Sequence, residues 1–383
     1  MNVKKVLFVT RGFPSEKDIM TGNYEAVQAK ALAAKGLDVT VINVLERPRQ
    51  YMLEKREITH RRVDGVDFYQ GKCVVFRKRI IRKINNYSRK RAYRQVFKAV
   101  VSEKGMPDII HAHIISLASF TIFLKDEYHL PFVITEHWTM TNKTDIPEWL
   151  RKMAFAYHRA DKVICVSQAL ANSLKRNFNV NSIVINNMVS DRFFETTKAE
   201  RQDNTFKFIS VGAFRRNKGF DILVDAFAKG HFPENVKLDI VGDGEERKLV
   251  ESKIRELGLS AQIHLLGTKT PMEVCELLCH SDCFVLSSRL ETFAIVVIEA
   301  MAIGLPIIAS RSGGPETFLQ PEHGLLVGKE NIEELTCAMQ YMLEHHTEYN
   351  SYDIRDYCFN HFSQDVISDQ IIGVYNEVIN NKF

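Results

Sequence analysis

The sequence has no long apolar run: none approaches the ~18 residues that a transmembrane helix requires. Residues 1–5 pass directly into a strand-like run at 6–10, without the apolar core and cleavage site of a signal peptide. We therefore expect a cytoplasmic protein that does not cross a membrane. Its 383 residues, 45% hydrophobic and 26% charged, suffice for two domains with separate cores.

Cysteine is sparse and scattered, with seven in the chain. Cys275, Cys279 and Cys283 are separated by three residues each, not by the two that are typical of a zinc knuckle. We predict that they are buried, reduced thiols. A D-x-D motif is also lacking, so we assign no residue to a metal and expect no cofactor.

Short β-branched runs alternate with helical stretches, which is typical of parallel sheets covered by helices. We therefore predict an α/β fold with two Rossmann-like domains, a first at 1–194 and a second at 205–362. A polar connector at 195–204 joins them, and a final helix occupies 363–383. Candidate strands lie at 6–10, 39–44, 109–111, 132–135, 163–166 and 183–185, then at 206–211, 237–241, 263–266, 283–286, 306–309 and 325–327.

The most informative stretch runs from 287 to 315. A short apolar strand ends in a polar loop that contains Glu291, and the helix predicted to begin near Phe293 contains Glu299. Free backbone N–H groups of Phe293, Ala294 and Ile295 would give this loop a partial positive charge. The stretch predicts a site for a ligand with an anionic diphosphate and hydroxyl groups.

Glu291 and Glu299, with seven residues between them, precede Gly-Leu-Pro at 304–306 and Ser-Gly-Gly-Pro-Glu at 312–316. This series resembles the E-x7-E signature of the retaining glycosyltransferases of family 4, which have the GT-B fold. The resemblance implies two Rossmann-like domains whose parallel sheets face each other across a cleft, and a final helix that returns to the first domain. It also implies that Glu291 contacts the donor sugar and that Glu299 accepts hydrogen bonds from the ribose. Two glutamates without a functional role are the alternative.

The resemblance extends to the loops of the second domain, which would hold the nucleotide. Lys218 matches the family's lysine that neutralises the leaving diphosphate, and the strand-end glycines Gly212 and Gly242 would bring backbone close to the nucleotide. The family's arginine is replaced by Ala213. Arg215 or its neighbour Arg216 would supply the missing charge, and we place Arg215 among the donor-binding residues.

In the first domain the resemblance is looser. It implies that Gly22, in the loop after the first strand, approaches the sugar and the diphosphate. His137 matches a histidine that contacts the donor sugar and stabilises the reaction centre. His111 and His113 end another strand, where lining of the cleft is favoured over metal binding. A plain surface loop and a structural histidine remain the alternatives for Gly22 and His137.

Residues 72–98 contain many basic residues and no acidic one, and their apolar residues recur at roughly helical spacing. This pattern predicts a cationic amphipathic helix, or a pair of them, that docks on the inner leaflet of the cell membrane. The alternative is a solvated basic face whose apolar side packs on the sheet. No nucleic-acid-binding motif is present, and nucleic acid is not expected as a partner. The predicted membrane-facing residues are Arg77, Lys78, Arg79, Arg82 and Lys83.

The resemblance implies a retaining, metal-independent glycosyltransferase that moves a sugar from a nucleotide-diphosphate sugar to a glycan or lipid-linked acceptor. Synthesis of a cell-surface polysaccharide or lipopolysaccharide is the expected setting. The sequence identifies neither the base, the sugar, the acceptor nor the linkage. Two alternatives stay open: a nucleotide-sugar epimerase of the same fold, and a non-catalytic nucleotide-sugar-binding protein.

Overall fold

The computed structural model describes residues 2–14, 21–48, 50, 57–76, 82–198 and 204–381. The chain forms two compact units. The first comprises Met1–Val166, Leu170–Ile185 and Ile367–Phe383, and the second comprises Ser167–Ala169 and Asn186–Val366. The second unit thus begins before the predicted connector at 195–204, and residues 186–194 fold with it.

Each unit contains one sheet in the described part of the chain. The strands of the first unit are β1 (Lys5–Val9), β2 (Asp38–Pro48), β3 (Thr59–Val63), β4 (Val66–Val75), β5 (Ile109–His113), β6 (Phe132–Glu136), β7 (Lys162–Cys165) and β8 (Ile183–Val184). Those of the second unit are β9 (Phe206–Val211), β10 (Val236–Val241), β11 (Ile263–Gly267), β12 (Cys283–Leu286), β13 (Ile307–Ser310) and β14 (Gly324–Val327).

The strand orders confirm two Rossmann-like sheets. The second is β11-β10-β9-β12-β13-β14 with parallel neighbours throughout. The first is β3-β4-β2-β1-β5-β6-β7-β8, and its neighbours are parallel except for the β3–β4 hairpin. The prediction missed this hairpin, which turns at Asp64 and Gly65 with φ of 48° and 80°. The first sheet is therefore mixed.

Helices cover these sheets because their apolar faces pack against the buried strands. They are α1 (Asn23–Ala34), α2 (Arg82–Lys104), α3 (Ile115–Thr121), α4 (Phe123–Tyr128), α5 (Glu148–Arg151), α6 (Phe155–Arg159), α7 (Gln168–Phe178), α8 (Arg192–Glu195), α9 (Phe220–Lys229), α10 (Arg247–Glu256), α11 (Pro271–Cys279), α12 (Ile295–Ile303), α13 (Ile332–His345), α14 (Ser351–Phe362) and α15 (Gln364–Asn380). None of these helices, in the described chain, is both long and apolar enough to span a bilayer.

The final helix α15 packs within the first unit although it follows the second unit in the chain. Its Tyr375 is fully buried, and the hydroxyl lies 2.6 Å from Nδ1 of His111. Asn376 Oδ1 accepts a hydrogen bond from the backbone N–H of Val3 at 2.9 Å. These contacts tie the end of the chain to the centre of the first sheet.

The cysteines at 275, 279 and 283 are buried free thiols, as predicted. Burial raises the pKa of Cys279 to about 11 and that of Cys283 well above its usual value. The described residues contain no cluster of histidine, cysteine or carboxylate side chains that would hold a metal ion.

The basic stretch divides into two kinds of structure. Residues 72–75 belong to β4, and a helix begins only at Arg82. Arg82 and Lys83 are exposed in its first turn. Arg77, Lys78 and Arg79 lie outside the described residues.

Candidate donor-binding site

In an open parallel sheet, ligands bind beyond the carboxyl ends of the strands, where the strand order reverses. In the second unit this point lies between the neighbouring strands β9 and β12. The loop after β9 contains Lys218, and the loop after β12 contains Glu291. The topology therefore brings two predicted catalytic residues to one edge of the sheet, although 73 residues separate them in the chain.

Lys218 and Glu291 form a direct ion pair. Lys218 Nζ donates to Glu291 Oε1 at 2.6 Å, and Ser288 Oγ donates to the same oxygen at 2.7 Å. Glu291 is only 7% exposed, and its backbone N–H donates to Ser312 O at 2.9 Å. The carboxylate is thus fixed in position and already paired with the cation that is predicted to meet the diphosphate.

Glycines let the backbones beneath this pair approach closely. A Cβ on Gly242, at φ 133°, would lie 1.9 Å from Gly212 O. A Cβ on Gly219, at φ 66°, would lie 2.2 Å from Ser287 O. The side chain of Lys218 packs over Gly212, since a Cβ added to Gly212 would lie 3.5 Å from the lysine Cδ. Gly219 and Gly242 are therefore required by the packing of the loops and strand ends, whereas a Cβ on Gly212 would make only ordinary van der Waals contact.

The helix after Glu291 begins two residues later than predicted. Helix α12 starts at Ile295, because Ala294 adopts left-handed backbone angles, φ 75° and ψ 69°. Gly314 packs beneath the same loop, since a Cβ there would lie 2.5 Å from Phe293 O. Within the described residues, the backbone N–H groups of Phe293, Ala294 and Ile295 find no protein acceptor. They remain available for an anion.

Glu299 lies one turn inside α12 and differs from Glu291 in its surroundings. Its side chain is half-buried, and no described residue forms a hydrogen bond with its carboxyl group. Burial raises the pKa of Glu299 to about 7, although the positive charge of Arg192 acts in the opposite direction. A carboxyl group that is desolvated and without a donor is suited to accept hydrogen bonds from hydroxyl groups of a ligand.

The arginines near the site have different roles. Arg215 is exposed in the same loop as Lys218, two residues after the exposed Ala213. Arg289 instead forms a two-pronged ion pair with Asp221, at 2.8 and 2.7 Å, and a further ion pair with Glu330 at 2.7 Å. Arg289 therefore holds the loop after β12 in place.

The corresponding edge of the first unit contains Gly22 and His137. Gly22, at φ 73°, begins α1, and a Cβ on it would lie 2.3 Å from Gly12 O. The His137 side chain is 11% exposed and its Nε2 lies 3.9 Å from Glu25 Oε1. Burial lowers the pKa of His137 to about 4, so the imidazole is neutral near pH 7. Glu25 is itself buried and lies 3.5 Å from Arg11 Nε.

The two histidines at the end of β5 are not equivalent. His111 is satisfied, with Nδ1 2.6 Å from the Tyr375 hydroxyl and Nε2 2.7 Å from Thr135 Oγ1. His113 is fully buried, and neither of its ring nitrogens has a hydrogen-bond partner among the residues that the structure describes. Its ring stacks on His111 and lies 5.7 Å from that of His137. Burial lowers the pKa of both His111 and His113, so this cluster is uncharged.

Glu136, to which the sequence assigned no role, organises the loop that carries His137. Its carboxylate accepts hydrogen bonds from the backbone N–H groups of Ile115, His137 and Trp138, at 2.9, 3.0 and 2.8 Å. The Tyr157 hydroxyl donates to it at 2.5 Å. Glu136 and Glu25 were missed because neither belongs to a recognisable motif, and only the fold shows their contacts.

Comparison with known proteins identifies the family. Residues 191–355 match the model described as Glycosyl transferases group 1, and residues 23–193 match Glycosyltransferase Family 4. The chain belongs to the family 4 glycosyltransferases of the GT-B class. An uncharacterized glycosyltransferase of Methanocaldococcus jannaschii is 33% identical over 246 residues, which are 63% of this chain and 66% of that protein.

Solved structures show the GT-B fold of this family 4 member. Sucrose-phosphate synthase from Thermosynechococcus elongatus aligns with a TM-score of 0.78 and 19% identity over 99% of this chain and all of that one. The Anabaena protein HepE in complex with UDP aligns with a TM-score of 0.74 and 18% identity over 98% of this chain and all of that one. At these identities the likeness concerns the fold.

Proposed function

We propose that this family 4 protein is a retaining glycosyltransferase that takes a sugar from a nucleoside-diphosphate sugar and delivers it to a glycan or lipid-linked acceptor. The observation that carries the proposal is the Lys218–Glu291 pair beside the unpaired N–H groups that open α12. A cation next to free backbone donors supports binding of a diphosphate, and the carboxylate beside them supports binding of a sugar hydroxyl. The UDP complex of HepE supports a nucleotide as ligand.

The proposed chemistry is electrostatic. As the bond between the sugar and the diphosphate breaks, negative charge grows on the leaving phosphate, and Lys218 together with the N–H groups of Phe293, Ala294 and Ile295 would stabilise it. Lys218 would exchange its contact with Glu291 for one with the phosphate. Glu291 would then accept a hydrogen bond from the sugar, and Glu299 would accept one from the ribose.

Retention of configuration and metal independence belong to the same proposal. The leaving phosphate oxygen would take the acceptor's proton on the face that it departs from, so that the new bond forms on that face. The sequence contains no D-x-D motif, and Lys218 together with the N–H groups named above would take over the role of a divalent ion. In the first unit, we propose that the neutral His137 forms a hydrogen bond with the donor sugar.

The partners proposed for this reaction are a nucleotide sugar and a glycan or lipid-linked acceptor at the inner face of the membrane, in polysaccharide or lipopolysaccharide synthesis. The exposed Arg82 and Lys83 support the membrane setting, because basic residues strengthen binding to anionic lipid by about 1 kcal/mol each.

Thermal stability measured with UDP, GDP, ADP and CDP, each in EDTA and in magnesium, tests donor binding. A ligand at about 100 times its dissociation constant adds roughly 2.7 kcal/mol of stability. We expect one diphosphate to stabilise the protein equally in EDTA. Stabilisation only in magnesium would contradict the metal-independent mechanism.

Product analysis with the selected nucleotide sugar then tests the reaction. Released nucleoside diphosphate with a newly glycosylated acceptor, whose anomeric configuration is that of the donor, is the expected result. A changed sugar on an intact donor would indicate an epimerase. Binding without turnover would indicate a non-catalytic protein, the alternative that the alanine at position 213 favours.

A further inference from the structure

A cavity of about 760 Å³ opens on the first unit, between the start of α2 and the helices α3, α5 and α6. We call it the α2 groove. This volume lies within the ~300–1,000 Å³ that is usual for sites of small ligands. Two of its aromatic side chains, Tyr87 and Trp149, are 67% and 39% exposed. Its apolar lining residues are Phe76, Tyr87, Phe120, Trp149, Met153 and Phe155.

Helix α2 changes its role along its length. Its later apolar residues, Tyr93, Val96 and Phe97, are buried against the first sheet. Ile84 and Tyr87, in its first two turns, are instead 57% and 67% exposed. Packing on the sheet therefore explains the second part of the apolar pattern and leaves the first part exposed, with Tyr87 among the residues that line the α2 groove.

The α2 groove is positively charged. Its basic lining residues are Arg82, Lys83, Arg89, Lys90 and Lys152, and no acidic side chain lines it among the residues described. Arg89 is paired with Glu46 at 2.5 and 2.8 Å, and Lys152 lies 3.3 Å from Glu148. Arg82, Lys83 and Lys90 form no ion pair with another described residue. Three cations are thus available to an anionic ligand at the rim.

Two uncharged polar side chains of the α2 groove, Asn85 and Ser119, already have hydrogen-bond partners. Asn85 exchanges two hydrogen bonds with the backbone of Phe76, at 2.9 and 2.8 Å. Ser119 Oγ donates to Ser116 O at 2.8 Å. A sugar or a peptide backbone that lay against Asn85, Ser119 and the aromatic rings would lose hydrogen bonds with water. An alkyl or isoprenyl chain would lose none.

We propose that the α2 groove binds one molecule of an anionic membrane lipid, with the chain against the aromatic lining and the phosphate against Arg82, Lys83 and Lys90. The inference deepens the proposed membrane setting and rests on it, but it does not depend on the transfer reaction. The sequence predicts an amphipathic helix that adsorbs to the membrane surface. The proposal made here is instead that a defined groove binds a single lipid molecule. A lipid-linked acceptor carries the same combination of phosphate and apolar chain.

Tryptophan fluorescence can report on this groove. The chain has two tryptophans, so Trp138→Phe leaves Trp149 alone. Bromine atoms on a lipid chain quench a tryptophan only on close approach. We expect vesicles with brominated phosphatidylglycerol to quench Trp149 and brominated phosphatidylcholine vesicles to have little effect. Absence of quenching by both would overturn the proposal.

Two matched pairs of variants, made in the Trp138→Phe protein, test the pocket. Arg82→Gln with Lys83→Gln should weaken vesicle binding about 30-fold, the effect of two basic residues. Arg91→Gln with Lys98→Gln removes the same charge from exposed positions of α2 outside the groove, and should weaken binding less than threefold. Equal losses would mean a diffuse basic face and no pocket.

The second pair tests the apolar lining. Tyr87→Ser should reduce quenching of Trp149 severalfold, whereas Ile84→Ser, at an exposed residue that does not line the groove, should leave it unchanged. Equal effects would mean that the helix only adsorbs to the surface. Displacement of the lipid by millimolar inorganic phosphate would show a phosphate site without a chain pocket and would also overturn the inference. None of these assays contains a nucleotide sugar, so failure here is separable from failure of the transferase.

Discussion

Lys218 Nζ lies 2.6 Å from Glu291 Oε1, so the cation predicted to neutralise the diphosphate is held by the carboxylate predicted to contact the sugar. The two charges of this pair neutralise each other. In the proposed reaction, the diphosphate competes with Glu291 for the ammonium group and thereby releases the carboxylate. The proposal therefore links binding of the diphosphate to the availability of Glu291.

Substitutions of the two members of this pair should differ in their effect on binding of the nucleoside diphosphate. Lys218→Met should weaken binding of the nucleoside diphosphate by roughly 1.5–3 kcal/mol, since a charge-assisted hydrogen bond is lost. Glu291→Gln should leave that affinity equal or higher because it removes the competitor, yet it should lower transfer at least tenfold. Isothermal titration and single-turnover rates measure the two effects. Lys248→Met, at an exposed lysine of α10, is the control, and an equal loss there would refute the assignment.

Glu299 should make stability depend on pH. Its pKa is about 7 in the folded protein and about 4.5 when exposed, so the folded state binds the proton more tightly. Stability should therefore fall as pH rises from about 4.5 to 7, on the order of 1–3 kcal/mol. Glu299→Gln should remove this fall, as measured by urea unfolding at pH 5 and pH 8. Glu256→Gln, at an exposed glutamate, should show the same fall in stability with pH as the unsubstituted protein.

Nucleotide binding should depend on the same group. If ionised Glu299 accepts hydrogen bonds from the ribose, affinity for the nucleoside diphosphate should increase as pH rises through about 7. Glu299→Ala should weaken that binding by roughly 1–3 kcal/mol at pH 8. An unchanged affinity in this variant would remove Glu299 from the ribose site.

Gly242 should tolerate no side chain. In Gly242→Ala the new Cβ would meet Gly212 O at 1.9 Å, on a backbone with φ 133°. We expect the free energy of unfolding to fall by roughly 2 kcal/mol or more, because backbone strain and the steric clash act together. Gly258→Ala is a matched control, since φ there is 69° and no atom of the described chain lies within 4 Å of the added Cβ. In Gly258→Ala the free energy of unfolding should fall by only about 1 kcal/mol. Equal melting temperatures for the two variants would contradict this account.

Glu136 should stabilise the loop that carries His137. A glutamine offers one acceptor oxygen in place of two, so Glu136→Gln should leave backbone N–H groups unpaired and destabilise the loop by roughly 2–4 kcal/mol. Hydrogen exchange at His137 and Trp138 should then accelerate. Tyr157→Phe removes only the hydroxyl donor and should cost about 1 kcal/mol. Unchanged exchange in Glu136→Gln would show that other contacts hold this loop.

The sequence predicts the fold and the donor loops where the signal is local. The E-x7-E spacing places Glu291 in the loop and Glu299 in α12, and short apolar runs locate the strands of both sheets. The ion pair between Lys218 and Glu291 is not readable in this way, since it depends on β9 and β12 being neighbours. The precise start of α12 depends on the backbone of Ala294, which no pattern specifies.

Other features could not be predicted, because the periodicity of apolar residues along a helix does not show what its apolar face contacts. Ile84, Tyr87 and Tyr93 belong to one apolar series, yet only Tyr93 is buried. The sequence contains an Asp-Gly turn for the β3–β4 hairpin at Asp64 and Gly65, but the strand before it, β3, is short and rich in basic residues, so it lacks a recognisable strand pattern. The four donors around Glu136 come from different parts of the chain, so only the fold shows its role.

The contact between Tyr375 and His111 has a consequence for synthesis on the ribosome. The strands of the first unit emerge first, but the helix that supplies the tyrosine hydroxyl is translated after the entire second unit. Until then the buried imidazole of His111 lacks one of its two partners, which is unfavourable. The first unit therefore stays incompletely packed while the second unit is synthesised. The unit that begins the chain is thus the last to be completed.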